Sequence, residues 1–170
     1  MNLRLNVHTS GPLLAGKSAQ TIQSNLDKAI TAATLLLYAK VTSYTPQGVF
    51  GAQGGLLGSI QQDVRGKGTP VVHGIVQSAH EYAEVIEKGR RPGKGMPPKG
   101  SLVRWLMDPR KLGLDQKTAS KIEFVVRRSI GRKGFEGAHM FEKAWKENQS
   151  QIQNIFERHG LKITEELNNG

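Results

Sequence analysis

The chain has 170 residues, of which 37% are hydrophobic and 22% charged, a length suited to one domain with a modest core. With 24 Lys and Arg against 14 Asp and Glu its formal charge is +10, and it has no cysteine. That composition excludes disulfides and thiolate metal sites and agrees with a reducing compartment. The longest apolar run, Ala32 to Ala39, is interrupted by Thr34 and falls far short of the roughly 20 residues a bilayer needs. No signal-peptide pattern opens the chain, so neither a membrane span nor a secretory leader is expected.

Leu3, Leu5 and Val7 alternate with Arg4, Asn6 and His8, the period-two pattern of a half-buried strand. Between Ser18 and Tyr44, apolar residues recur at Ile22, Leu26, Ala29, Ile30, Ala33, Leu36, Leu37 and Val41. Steps of three and four over that length predict one long amphipathic helix, ended before Pro46. Thr45 to Gly58 is Gly-rich and reads as a loop. Ser59–Val64 and Val71–Gln77 read as strands joined by a turn at Arg65–Thr69.

Glu81 to Lys88 predicts a short helix capped at Gly89, and the Pro- and Gly-rich stretch Arg90–Gly100 is loop. Ser101–Asp108 is a short helix with Leu102, Val103, Trp105 and Leu106 as its apolar side. Asp115 caps a helix over Gln116–Arg132, with Ala119, Ile122, Val125, Val126 and Ile130 as the expected inner stripe. A last helix begins at Met140 and uses Phe141, Ala144, Trp145, Ile152, Ile155 and Phe156. The expected class is α+β: a small, mostly antiparallel sheet packed by a long N-terminal helix and by C-terminal helices. The expected boundaries are a single domain over 1–160, an inserted helical segment at 99–137, and a C-terminal tail at 161–170.

The charge is local. Lys88 to Lys133 holds fourteen Lys and Arg against Asp108, Asp115 and Glu123, so this window alone exceeds the net charge of the whole chain. Such asymmetry points to an anionic partner, either nucleic acid or an acidic protein surface. The residues expected to face it are Arg90, Arg91, Lys94, Lys99, Arg127, Arg128, Arg132 and Lys133. Charge of this kind without base-reading motifs fits sequence-independent DNA binding.

Catalytic patterns are sparse. Gly11 to Ser18 (GPLLAGKS) matches the phosphate-binding P-loop pattern and lies between a predicted strand and helix. Pro12, however, removes a backbone donor, no strand ending in a metal-binding Asp follows, and the expected sheet is antiparallel. A P-loop nucleotide-binding protein is therefore a lesser alternative. His80-Glu81-Tyr82-Ala83-Glu84 lacks the second histidine of a zinc-protease helix. Glu81, Glu84 and Glu87 are spaced to share a helix face, which reads as a solvated face or a subunit contact. No Ser-His-Asp arrangement is readable, so neither an enzyme nor a resident cofactor or metal is expected.

Four stretches in order carry a resemblance. They are Thr45-Pro46 followed by Gly54-Gly-Leu56-Leu-Gly-Ser59-Ile60, then Tyr82-Ala83-Glu-Val-Ile86-Glu87-Lys-Gly89, then Pro97-Pro98 ahead of Leu102 and Trp105, and the closing helix Met140 to Ile152. Together, over about residues 17–156, they resemble the tail-completion proteins of long-tailed phages, the minor tail family that includes the lambda minor tail protein Z. Gln53, Leu57 and Arg90 depart from that pattern, standing where a Thr, a basic residue and a Thr are usual. The resemblance implies a non-enzymatic virion protein made in the bacterial host cytoplasm and placed in the neck, at the head–tail junction. It would act as a head–tail connector, a homo-oligomeric ring (a hexamer or a dodecamer) touching adjacent neck and tail-tube or terminator proteins. It would border the genomic DNA without sequence preference and have no membrane partner. Tyr82, Glu87 and Trp105 are the expected interface residues.

Overall fold

The alternation at Leu3, Leu5 and Val7 forms strand β1 (Asn2–His8), and the three-four spacing that follows forms helix α1 (Lys17–Tyr44). The computed structural model describes residues 1–8, 17–47 and 55–168. After α1 come a one-turn helix α2 (Gly55–Gly58), strands β2 (Ile60–Arg65) and β3 (Val71–Ser78), and helix α3 (Ala83–Lys88). Then follow β4 (Gly89–Arg90), α4 (Val103–Met107), α5 (Gln116–Lys133), β5 (Phe135–Glu136) and α6 (Met140–Asn168). The class is α+β, as expected.

These elements form two compact units. Unit 1 combines Met1–Tyr44, Ile60–Ala79 and Met140–Gly170, and unit 2 combines Thr45–Ser59 with His80–His139. In this partition the chain changes unit at 44/45, 59/60, 79/80 and 139/140.

In unit 1 the sheet order is β1-β3-β2, antiparallel throughout, with Gly74 of β3 opposite Leu5 on one side and Val64 on the other. Helix α1 packs on the sheet and against α6. Its buried stripe is Ala29, Ile30, Ala33, Leu37 and Val41, and α6 contributes Met140, Phe141, Ala144 and Ile152. Buried polar side chains on these helices bond to their own backbone. Asn25 Nδ2 donates to the Thr21 carbonyl at 3.0 Å, Thr34 Oγ1 to Ile30 at 2.7 Å and Asn148 Nδ2 to Ala144 at 2.9 Å. These three are therefore spared the cost of desolvation, whereas Thr42 Oγ1 on α1 and His159 Nδ1 on α6 are buried without a hydrogen-bond partner among the described residues. Tyr44 Oη donates to Glu147 at 2.6 Å, and the Gly68 amide to Asp27 Oδ2 at 3.0 Å, which ties the β2–β3 turn to α1.

One contact sets the helix height above the sheet. A Cβ on Gly74 would lie 2.0 Å from Thr34 Oγ1, so only glycine admits α1 at this distance.

Three local expectations change. Residues 55–58, read as loop, form a helical turn that buries Leu56 and Leu57, because two adjacent leucines outweigh the flanking glycines; 48–54 lie outside the described residues. Helix α6 continues through Gly160 to Asn168, where a tail was expected, because its three-four pattern persists at His159 and Ile163, both half-buried. Trp145 is exposed rather than a core residue of that helix, since the buried line runs through Phe141, Ala144 and Asn148. Among the described residues no helix is long and apolar enough to cross a membrane.

Two substitutions test this packing by urea unfolding. Gly74→Ala overpacks the α1–sheet contact and costs about 1–3 kcal/mol. Gly160→Ala adds a methyl where nothing lies within 4 Å and stabilises by about 0.5–1 kcal/mol, the ordinary gain over glycine inside a helix.

Candidate functional site

Unit 2 carries every residue expected to face an anion or a neighbour. Its ends are stitched together by backbone. β4 pairs antiparallel with β5, matching Gly89 to Glu136 and Arg90 to Phe135. The Ala138 amide donates to Ile86 O at 2.8 Å and the His139 amide to Glu87 O at 3.1 Å. Glycine is required where these strands touch: a Cβ on Gly134 would meet Arg90 O at 2.0 Å, and one on Gly137 would meet Glu87 O at 2.1 Å. As expected, Gly89 ends α3 at a φ of 75°.

Asp115 caps α5 as read from the sequence, accepting from the Lys117 and Thr118 amides, both at 3.0 Å. The hydrogen bonds from Thr118 lead in holding its carboxyl below the usual range. At the end of α4, Asp108 is buried and accepts from the Arg110 side chain at 2.7 and 3.0 Å and from the Arg110 amide at 3.0 Å. Those bonds lower its pKa as well.

The face that α5 turns inward is only partly the expected apolar stripe, since Ala119 is buried and Val126 and Ile130 are half-buried but Ile122 and Val125 are not covered. Ala119, Glu123 and Gly131 are buried, while Ile122, Phe124 and Val125 are exposed, Val125 at 64%. The loop before α4 causes this rotation. The Gly93 amide donates to Gly131 O at 2.9 Å, and a Cβ on Gly131 would come within 3.0 Å of Gly95 O and of Met96 Cγ. Arg127 Nε donates to Pro97 O at 2.7 Å, and its Nη1 lies 3.8 Å from Glu123 Oε2. Two polar ties, from Gly93 to Gly131 and from Arg127 to Pro97, thus hold this line of α5 against the 93–97 loop, and the Glu123–Arg127 pair lies within the helix.

Arg127 is therefore a structural cation, its side chain only 12% exposed, and not a surface contact. Arg90 is half-buried, with Nη2 donating to Lys94 O; with Val85, Gly89, Arg91 and Lys94 it lines a recess of about 360 Å³. Arg91, Lys94, Lys99, Arg128, Arg132 and Lys133 are exposed. None of these six makes an ion pair among the described residues. Of the expected interface residues, Tyr82 is exposed and Trp105 half-buried. Glu87 is only 2% exposed, an interior group that the closure around β4 and β5 removes from the surface.

The catalytic patterns do not converge. Glu84 is exposed and bridges Lys88 at 2.6 Å, which lowers its pKa, while Glu87 points inward. The two carboxylates do not share a face. Among the described residues no cluster of three His, Cys, Asp or Glu could hold a metal ion. Residues 11–16 of the P-loop-like stretch lie outside the described residues; the strand before it pairs antiparallel with β3, whereas that fold requires a parallel sheet. Three of the exposed apolar side chains of unit 2, Ile122, Phe124 and Val125, carried a signal in the sequence, since they are three apolar residues within four that no single helix face can bury.

Comparisons with protein-family models, with curated proteins and with solved structures find no match for this chain.

Neighbouring arginines give opposite outcomes in thermal or urea unfolding. Arg127→Ala leaves Pro97 O without its donor and Glu123 with only the Leu102 amide, at 3.4 Å, and costs about 1–3 kcal/mol, whereas Arg128→Ala changes stability by less than about 0.5 kcal/mol. Acid weakens the fold through Asp108. A carboxyl whose folded pKa is lowered stabilises fully above its unfolded value of about 3.9. That stabilisation fades as pH falls through the folded value. Asp108→Asn flattens this acid limb in unfolding curves taken across pH.

Proposed function

We propose that this chain is a structural virion protein of a tailed phage, a tail-completion or neck component. It assembles as a ring joining tail to head and borders the DNA channel. The observation that carries this reading is the surface of unit 2, where Phe124 and Val125 are exposed on α5 next to Arg128, one of six exposed cations that make no ion pair among the described residues, and where Tyr82 is exposed as well. Aromatic and apolar side chains next to arginines are the composition of an unfinished protein interface. The four-stretch resemblance to the tail-completion proteins supports the same reading. So does the sheet of unit 1, whose edge strands β1 and β2 each have one neighbour, leaving edges that assembly would cover. The work of such a protein is contact rather than chemistry.

A second reading uses the same six cations for sequence-independent DNA binding. It is compatible with the first, because the wall of a channel must tolerate any sequence that passes it. Phosphate contacts supply affinity without base information.

Size-exclusion chromatography with light scattering over a range of concentrations tests the assembly, which is expected to be a closed ring of one size; a chain monomeric throughout overturns it. For DNA, each phosphate engaged adds roughly 0.9 to the slope of log affinity against log salt. Lys94→Ala with Lys99→Ala therefore lowers that slope by about 2 and acts equally on unrelated duplexes. A slope unchanged by the pair removes the 90–99 loop from the DNA contact.

A further inference from the structure

Two outward helix faces of this chain complement each other. On α5 the outer face is made by Lys117, Lys121, Phe124, Val125, Arg128 and Arg132, all exposed. At 3.6 residues per turn the four cations form one ridge, with Phe124 on one side and Val125 on the other. The one acid of this helix, Glu123, is buried, so the outer face carries no negative charge. In the second half of α6, Glu157, Leu161 and Glu165 recur every fourth residue and all are exposed, Leu161 at 67%. Arg158 and Lys162 stand to one side of that line. Gly160 beside it has open space where a Cβ would be.

We infer that the outer face of α5 in one copy docks on the Glu157–Leu161–Glu165 face of α6 in a second copy, an inference that rests on the ring reading above. Lys121 and Arg128 meet the two glutamates, and Val125 and Phe124 cover Leu161. Opposite charges around an apolar centre set the register and steer the encounter. Two α5 faces cannot pair with each other, because that places cation on cation. A nucleic acid would satisfy the four cations and leave Phe124 and Val125 in water. The contact is heterologous, using different surfaces on the two partners, so successive copies add head to tail and close into a ring when the rotation permits.

Charge reversal and its reciprocal test this directly. One variant carries Lys121→Glu and Arg128→Glu, the other Glu157→Lys and Glu165→Lys, with circular dichroism verifying that both are folded. In light scattering each variant alone is expected to associate at least about tenfold more weakly than the unaltered chain. An equimolar mixture restores association, because the reversed α5 of one meets the reversed α6 of the other, while the unaltered faces also match. Two folded variants that assemble as well as the unaltered chain overturn this contact and leave the ring reading standing. A mixture that stays dissociated also overturns the pairing of these two faces. An unaltered chain that is monomeric at every concentration overturns the ring reading and this contact with it. If only the α5 reversal has an effect, and that effect is loss of affinity for duplex DNA, the face belongs to nucleic acid and the inference fails.

Discussion

The missing side chain of Gly74 is the constraint on which unit 1 depends. Strand β3 is the middle strand, paired on both sides, so its height fixes the whole sheet. With no Cβ at that position, Thr34 and Ile30 reach the backbone of the strand, and α1 lies close enough to bury Ala29, Ala33 and Leu37. Small residues on the helix and glycine on the strand are two halves of one fit. The hydroxyl brought into this dry contact is satisfied inside its own helix, through Ile30 O. The approach therefore leaves no polar group stranded.

Unit 2 is held differently. Its ordered core is small, with Leu56, Leu57, Ala83, Leu106 and Ala119 buried, and backbone crossings carry much of its definition. Gly89, Gly134 and Gly137 let strands pass at distances no side chain permits, and Arg127 ties α5 to the 93–97 loop. Turning Glu123 and Arg127 inward has a direct consequence at the surface. Apolar residues that would ordinarily fill a core are released to the outside, next to Lys121 and Arg128. The same rotation that satisfies a buried charge pair creates an adhesive face. Exposed apolar side chains beside arginines have the composition of a protein interface, which is the use proposed for this face.

Most of the framework was legible in the sequence, because local pattern and tertiary need agreed there. Period two gave β1, steps of three and four gave α1, Asp115 marked the start of α5 and Gly89 the end of α3. Legibility failed where a distant segment decided the outcome. The side of α5 that faces inward is set by Gly131 and Arg127 against a loop more than 30 residues earlier, and no window along α5 contains that loop. Glu87 looked like a surface carboxylate because its spacing from Glu84 suggested a shared face, whereas the return of the chain at Gly137 covers it. The basic surface could be seen as composition, but which of its arginines were internal could not. Arg127 and Arg128 are neighbours with opposite fates, and only the position of Pro97 separates them.

The interleaving of the two units bears on how the protein comes into being. Every residue of unit 2 precedes Met140, so its whole chain leaves the ribosome before α6 does. Unit 1 includes β1 and α1, which precede unit 2, yet it waits for α6, because Met140, Phe141, Ala144 and Ile152 pack along α1. Domains fold as units when their chain is complete, so unit 2 has all of its residues before unit 1 has received α6. A chain released early by the ribosome would present a bare α1 and no α6. Translation through α6 is thereby a condition for a complete unit 1, and copies that stop before it are kept out of any assembly that requires one.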